Sequence, residues 1–499
     1  MTNDSAVLRE KILELTRDYA ALEHRANLPG DDGRRPMFRS GADTVPYAGR
    51  VFDVDEVEAG VAAMLDFWLT LGPHGEKFES ELASWLGVKH SLLVNSGSSA
   101  NLVAVSSLTT HKLPPERRIV PGDEIITAAA GFPTTVAPIV QVGAIPVFLD
   151  NDPITGNIRC EALEEAFVAG KTKAVIIAHT LGNPFDLGEI LEFCHRNNLW
   201  LIEDNCDALG STYSLPKDRA HALGITENSP GIPDDGHHVT RFTGTWGDLS
   251  TQSFYPPHHI TLGEGGAVNI VKRPALKLYA ESFRDWGRDC WCPSGKDNTC
   301  NKRFGWKLGQ LPEGYDHKYT YSHLGYNLKP LDTQAAIGRR QLKRLPHFTA
   351  KRKQNWQYLR QELASLVEFF EFSLPTHGDK WGPEGFSWDQ TECKTDCSWF
   401  GFMMSVRKSA PFSSVEFASY LDEKRIGNRM LFGGNLVRQP AFLHLKERSP
   451  EAFRVVGPLD GANRIMEEAI FLGTYPGLTS DMLTYVVETV HQFVKNKCA

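Results

Sequence analysis

No apolar run in this 499-residue chain reaches the ~18–20 residues that a membrane-crossing helix requires. Positive charge is scarce: 53 Lys and Arg against 61 Asp and Glu give a net charge of −8. A nucleic-acid binder normally carries a basic field, so that class of partner is excluded. Cysteine is sparse and odd in number, nine in all, which fits a disulfide framework poorly. The opening residues, Met1-Thr2-Asn3-Asp4-Ser5, run into charged, helix-patterned sequence and not into the apolar core of a signal peptide. Together these absences predict a cytoplasmic protein that uses neither membrane nor nucleic acid.

What is present is an ordinary globular composition, 41% hydrophobic and 23% charged, in a chain long enough for about two domains. Leu8, Ile12, Leu15, Tyr19 and Leu22 recur at helical spacing and predict an amphipathic helix over residues 5–24, packed on the body or on a second subunit. A stretch rich in Gly, Arg and Pro (29–50) completes an N-terminal arm, 1–50. Short apolar runs at 91–94, 124–128, 146–150, 174–179, 199–203 and 251–254 alternate with helical patterns. That alternation predicts parallel βαβ units, with ligands gathering at the carboxyl ends of the strands. The large domain is placed at 51–345 and a smaller α+β domain at 346–499. Residues 214–242 and 374–397 lack periodicity and read as inserted surface loops. The second insertion carries the pair Cys393 and Cys397.

Three features carry chemistry. Asn95-Ser96-Gly97-Ser98-Ser99-Ala100-Asn101 opens a helix after an apolar run, which presents free N–H groups to an anion such as phosphate. Leu199-Trp200-Leu201-Ile202-Glu203-Asp204 ends a buried-type strand in acids. Asp204 there either faces solvent or pairs with a pyridinium nitrogen, keeping the ring an electron sink. Cys290-Trp291-Cys292 is followed closely by Cys300. In a reducing compartment such a cluster indicates metal or redox chemistry, and its spacing alone suits zinc.

The segment Ser253-Phe254-Tyr255-Pro256-Pro257-His258-His259-Ile260-Thr261-Leu262-Gly263-Glu264-Gly265-Gly266 resembles the cofactor segment of the DegT/DnrJ/EryC1 sugar aminotransferases. Gly131-Phe132-Pro133-Thr134-Thr135 and Gly325-Tyr326-Asn327 resemble further family segments in family order. The resemblance implies an aspartate-aminotransferase-like α/β fold (fold type I) with a mostly parallel seven-stranded sheet. It assigns pyridoxal or pyridoxamine phosphate to Gly97, Ser98, Ser99, Phe132, Asp204, Asp207 and Ser253. Asn327 would reach the cofactor phosphate of a second subunit in a homodimer. Where the family has lysine, this chain has His258. Imidazole cannot hold the cofactor as a Schiff base, but it can act as a general base near neutral pH.

That replacement, with the cysteines, resembles the iron–sulfur 3-dehydrases of 3,6-dideoxyhexose biosynthesis. The resemblance implies non-covalent pyridoxamine phosphate and a 2Fe–2S cluster on Cys206, Cys290, Cys292 and Cys300. It implies a nucleotide-diphosphate sugar, CDP-4-keto-6-deoxy-D-glucose, as substrate, and an NADH-dependent flavin and iron–sulfur reductase as electron donor. His258 would be catalytic, and Tyr255, Arg429, Asn435 and Arg438 would face the substrate. The gap between Cys206 and Cys290 is longer than the family's because 214–242 intervenes. Two other readings stay open: an iron-free dehydratase, and a non-catalytic scaffold that keeps zinc.

Overall fold

The computed structural model describes residues 3–293, 295–382 and 384–498. Ser294 of the cysteine loop (288–301), Pro383 of the second insertion and the terminal residues Met1, Thr2 and Ala499 lie outside them. The central sheet is built from β1 (His90–Val94), β2 (Glu124–Ala128), β3 (Ile145–Leu149), β4 (Thr172–Ala178), β5 (Trp200–Asp204), β6 (Leu249–Ser253) and β7 (Gly266–Ile270). Their spatial order is β1-β7-β6-β5-β4-β2-β3, and β7 alone runs antiparallel to its neighbours. A short eighth strand, Arg454–Val455, joins the outer edge of β3 in parallel, so the sheet exceeds the expected seven strands. β5, β6 and β7 are buried at every position, as strands covered on both faces must be. Parallel register sets Ala178 beside Asp204 and Asp204 beside Thr251, so three carboxyl ends meet at one level.

A second, antiparallel sheet of four strands gathers Phe370–Phe372, Gly401–Val406, Ala469–Gly473 and Asn428–Met430. The boundary drawn at residue 345 falls inside one continuous 31-residue helix, Asp332–Glu362. Core packing runs without a break from the central sheet to Met403 and Phe471 of the second and to Phe400 beside it.

One expectation needs correction and another is narrowed. The insertions are not merely surface loops. Thr212–Pro216 pairs with His238–Phe242 and with Lys394–Asp396, so the two insertions join in a three-stranded antiparallel sheet. Tyr213, fully buried there, donates its hydroxyl to Asp186 and meets His377 at 2.8 Å. The N-terminal helix, Asn3–Glu23, forms as expected, but its apolar stripe does not pack on the body. Leu8, Leu15, Tyr19 and Leu22 are each at least 60% exposed. Leu13 and Ala20 are buried instead, and Arg9–Asp66 and Arg17–Glu58 ion pairs tie the helix to Val54–Asp66.

Candidate active site

A cavity of about 470 Å³ opens at the carboxyl ends of β4, β5 and β6, where the topology predicts a ligand. Gly97, Ser98, Phe132, Asp204, Cys206, Asp207, Ser253, Tyr255, His258 and Arg429 all line it. Ten of the residues singled out from sequence therefore share one chamber.

Asp204 is fixed before any ligand arrives. One carboxylate oxygen accepts from Asn101 Nδ2 at 2.8 Å and from Thr135 Oγ1 at 2.7 Å. The other accepts from the Cys206 amide at 3.2 Å. Thr251, on the neighbouring strand, donates to Asn101 Oδ1 at 2.6 Å and so orients the amide that orients the acid. These three supports were not recognised from the sequence. Thr135 sat in a quoted motif and Asn101 in the helix-opening turn, but neither carries a signal of its partner.

The helix Gly97–Ser107 begins at the cavity, capped by Ser96, whose hydroxyl accepts from the Ser99 amide at 3.1 Å. Its first turn aims backbone N–H groups and the positive helix end at the chamber, an arrangement suited to a phosphate. Gly97 is required by crowding: a Cβ there would lie 2.5 Å from Ser253 Cβ and 3.1 Å from Cys206 Sγ. Ser99 belongs to this turn without lining the cavity.

His258 stands where a lysine was sought, and no lysine is among the described residues lining the cavity. Its Nε2 is 3.3 Å from Asp207 Oδ1, and its ring packs on Phe400 with centroids 5.5 Å apart. Nδ1 is enclosed by protein without a partner, which leaves Nε2 as the atom able to exchange a proton. The neighbouring His259 is different in kind. It is buried, meets the Ser398 carbonyl through Nε2 at 2.7 Å, and burial pushes its ring well below the usual histidine range. It is a neutral structural donor.

Of the two candidate arginines, Arg429 lines the cavity and lies 4.1 Å above the Tyr47 ring. Arg438 lies outside it and is engaged by Glu467 at 2.6 Å and Asn463 at 3.0 Å. Asn435 is buried outside the cavity, where its side chain accepts from the Val437 amide and donates to Asn463. Asn327 also lies outside the cavity of its own chain, with its side chain held by Lys329 at 3.0 Å.

The four cysteines are not brought together. Cys206 lines the cofactor chamber, where enclosure by the protein and, after it, the charge of Asp204 push its thiol up. Cys290 and Cys292 line a separate cavity of about 730 Å³ that shares no residue with the first. Cys292 accepts from Thr299 at 3.1 Å. Among the described residues no three His, Cys, Asp or Glu side chains are gathered to hold a metal ion. Nor is any described helix long and apolar enough to cross a membrane.

Known proteins place this architecture. The family model for DegT/DnrJ/EryC1/StrS aminotransferases matches residues 52–491. The lipopolysaccharide biosynthesis protein RfbH of Salmonella typhimurium is 48% identical over 486 residues, covering 97% of this chain and 98% of its own. The dTDP-4-dehydro-2,6-dideoxy-D-glucose 3-dehydratase of Saccharopolyspora spinosa is 42% identical, covering 97% of this chain and 92% of its own. Among solved structures, E. coli GDP-4-keto-6-deoxy-D-mannose-3-dehydratase with bound hydrated PLP is similar at a TM-score of 0.71 and 25% identity, over 91% of this chain and 100% of that one. With a family model that matches residues 52–491, most of its length, this chain belongs to the DegT/DnrJ/EryC1/StrS aminotransferase family.

Proposed function

We propose that this protein binds pyridoxamine phosphate without a covalent link and removes the C-3 hydroxyl of a nucleotide-linked 4-keto-6-deoxyhexose, with the CDP sugar as first candidate. The observation that carries the reading is His258, an imidazole in a chamber that no described lysine enters. One relative and one solved structure similar to this chain are named as nucleotide-sugar 3-dehydratases, which supports the reading.

The chamber fits the cofactor. The crowded Gly97 turn offers amides to a phosphate, the fixed Asp204 carboxylate suits a protonated ring nitrogen, and Phe132 offers an aromatic face. When bound, pyridoxamine phosphate supplies an amine for the C-4 ketone and a ring that accepts electron density. Asp204, oriented by Asn101 and Thr135, would hold the positive ring nitrogen. His258 takes up a proton at Nε2, and Asp207, 3.3 Å away, steadies the resulting imidazolium. The same imidazolium can return its proton to the departing hydroxyl. Arg429, which no described carboxylate pairs, is the better placed of the two arginines for a diphosphate.

Electron delivery by a 2Fe–2S cluster on Cys206, Cys290, Cys292 and Cys300, fed by a separate NADH-dependent reductase, remains part of the proposal. Four thiols are the right donor type, but their arrangement in this structure does not fit a cluster. The separation of Cys206 from the loop thiols favours a second reading, an iron-free dehydratase regenerated by glutamate. A homodimer in which Asn327 serves the partner's cofactor is likewise proposed.

The test uses the full chain, purified anaerobically and loaded with pyridoxamine phosphate. CDP-4-keto-6-deoxy-D-glucose in ¹⁸O-water should gain the label at C-3 without any reductase. Accumulation of an amino sugar, or no label at C-3, would overturn the reading. Iron and sulfide analysis, and turnover supported by glutamate alone, separate the two electron sources.

A further inference from the structure

Arg352 lies within the helix Asp332–Glu362 and is 1% exposed. A buried guanidinium is costly unless a carboxylate pairs with it, yet no described carboxylate lies within ion-pair distance of this one. Its donors go to main-chain carbonyls instead. Nη2 donates to Pro257 at 3.3 Å and to His258 at 3.1 Å. Nη1 donates to Trp399 and Phe400, both at 3.3 Å. Nε finds no partner.

Those carbonyls belong to two walls of one chamber. Pro257, His258 and Phe400 all line it, and the His258 ring rests on the Phe400 ring. One fork therefore sets the spacing between the base and the surface it leans on. Its charge acts on the same pair. Burial pulls Arg352 down to about 9, and the charge opposing that pull is Asp207, the residue beside His258 Nε2. A purely structural arginine would need no link to both walls of the chamber.

We infer that Arg352 is a positioning residue for His258: it clamps the main chain of the base to the wall opposite. The inference rests on the reading of His258 as the base. Lysine can supply the charge but not the planar fork that reaches four carbonyls.

The experiment compares Arg352→Lys and Arg352→Gln in the full chain loaded with pyridoxamine phosphate. Exchange of ¹⁸O into C-3 is measured per bound cofactor, and ¹⁵N-histidine spectra are recorded without substrate. Arg352→Lys should lower kcat by about 10–100-fold, the cost of a small misplacement of a reacting group, with KM within about twofold. Arg352→Gln should lower it further. The His258 resonances should move in both variants while cofactor content holds. A kcat per bound cofactor within twofold of wild type in Arg352→Lys overturns the inference, and that variant decides if Arg352→Gln does not fold. If the wild-type protein exchanges no oxygen, the proposed function fails on its own. The spectra then decide for Arg352: a moved His258 resonance supports its role and an unmoved one overturns it.

Discussion

The cofactor chamber and the cysteine loop hold their key side chains by different means. In the chamber, Asp204 is 5% exposed and is held by partners from the helix Gly97–Ser107, from the helix Pro133–Gln141 and from β6. On the loop, Cys290, Cys292 and Cys300 are all partly exposed. Several of the bonds that shape it are short in range, such as Thr299 to Cys292, Arg303 to Asp316 and Lys318 to Asp297, while Lys112 reaches Asp289 at its base from far along the chain. Proton transfer needs groups fixed in advance by distant parts of the chain. A metal site can wait for its metal, because the binding energy of the metal does the ordering. The carboxylate in the chamber is thus set by distant parts of the chain, whereas the loop thiols rest on neighbours close in sequence. Asp289, at its base, accepts from His317 at 2.8 Å and from Ser322 at 2.6 Å.

The strongest way to break this comparison is at the base. His258→Asn should lower C-3 exchange by at least about 10³-fold while cofactor stays bound. Borohydride treatment of the wild-type protein should leave no cofactor on any lysine, as mass spectrometry will show. Next in size is the loop. If the loop carries the proposed cluster, Cys292→Ser should lose iron and form no deoxysugar when reductase and NADH are supplied, yet exchange oxygen at C-3 within about twofold of wild type. Wild-type deoxysugar formation by this variant would leave the loop without a role in turnover. Smaller again are the supports of Asp204. Thr135→Val and Asn101→Ala each remove a bond to a carboxylate, worth ~1.5–3 kcal/mol, and should lower turnover by about 10–100-fold, read as kcat per bound cofactor.

The smallest effect concerns His323, near the loop's base. Its two ring nitrogens meet Thr110 at 2.6 Å and Ser282 at 2.7 Å, and burial pushes it down to about 4. An unfolded histidine titrates near ~6.5. Between these values the unfolded chain binds the extra proton, so stability should fall as pH drops from about 6.5 toward 4. Thermal melts across that window should show the slope, and His323→Gln should flatten it.

Much of this could be read from the sequence where the signal was local. The strand runs lie within two residues of those observed, because a fully buried strand is a continuous apolar run. β7 was not anticipated, since Gly265-Gly266 reads as a turn and hides the strand that follows. The paired insertions were invisible for a different reason: Thr395 faces Tyr213 across about 180 residues of chain, and Pro- and Gly-rich composition gives no hint of pairing. The exposed stripe of the N-terminal helix shows that periodicity reports a face but not what covers it. In the site, His258 and Asp204 announced themselves through motif and strand end. Arg352 did not, because a charged residue within a long polar helix reads as solvated surface.

The three-stranded sheet made by the insertions bears on how much of this chain can be trimmed. Two residues beyond Asp396, the Ser398 amide donates to Ser211 at 2.8 Å, and the Ser398 carbonyl meets His259 Nε2 at 2.7 Å. Ser211 in turn donates to the Gly182 carbonyl at 2.7 Å. The apparent ornament is therefore a splint for the residue next to the base, and for the Trp399–Phe400 pair that Arg352 grips. A shortened chain lacking 374–397 would keep every residue that touches the chamber, and still lose the setting of its histidine.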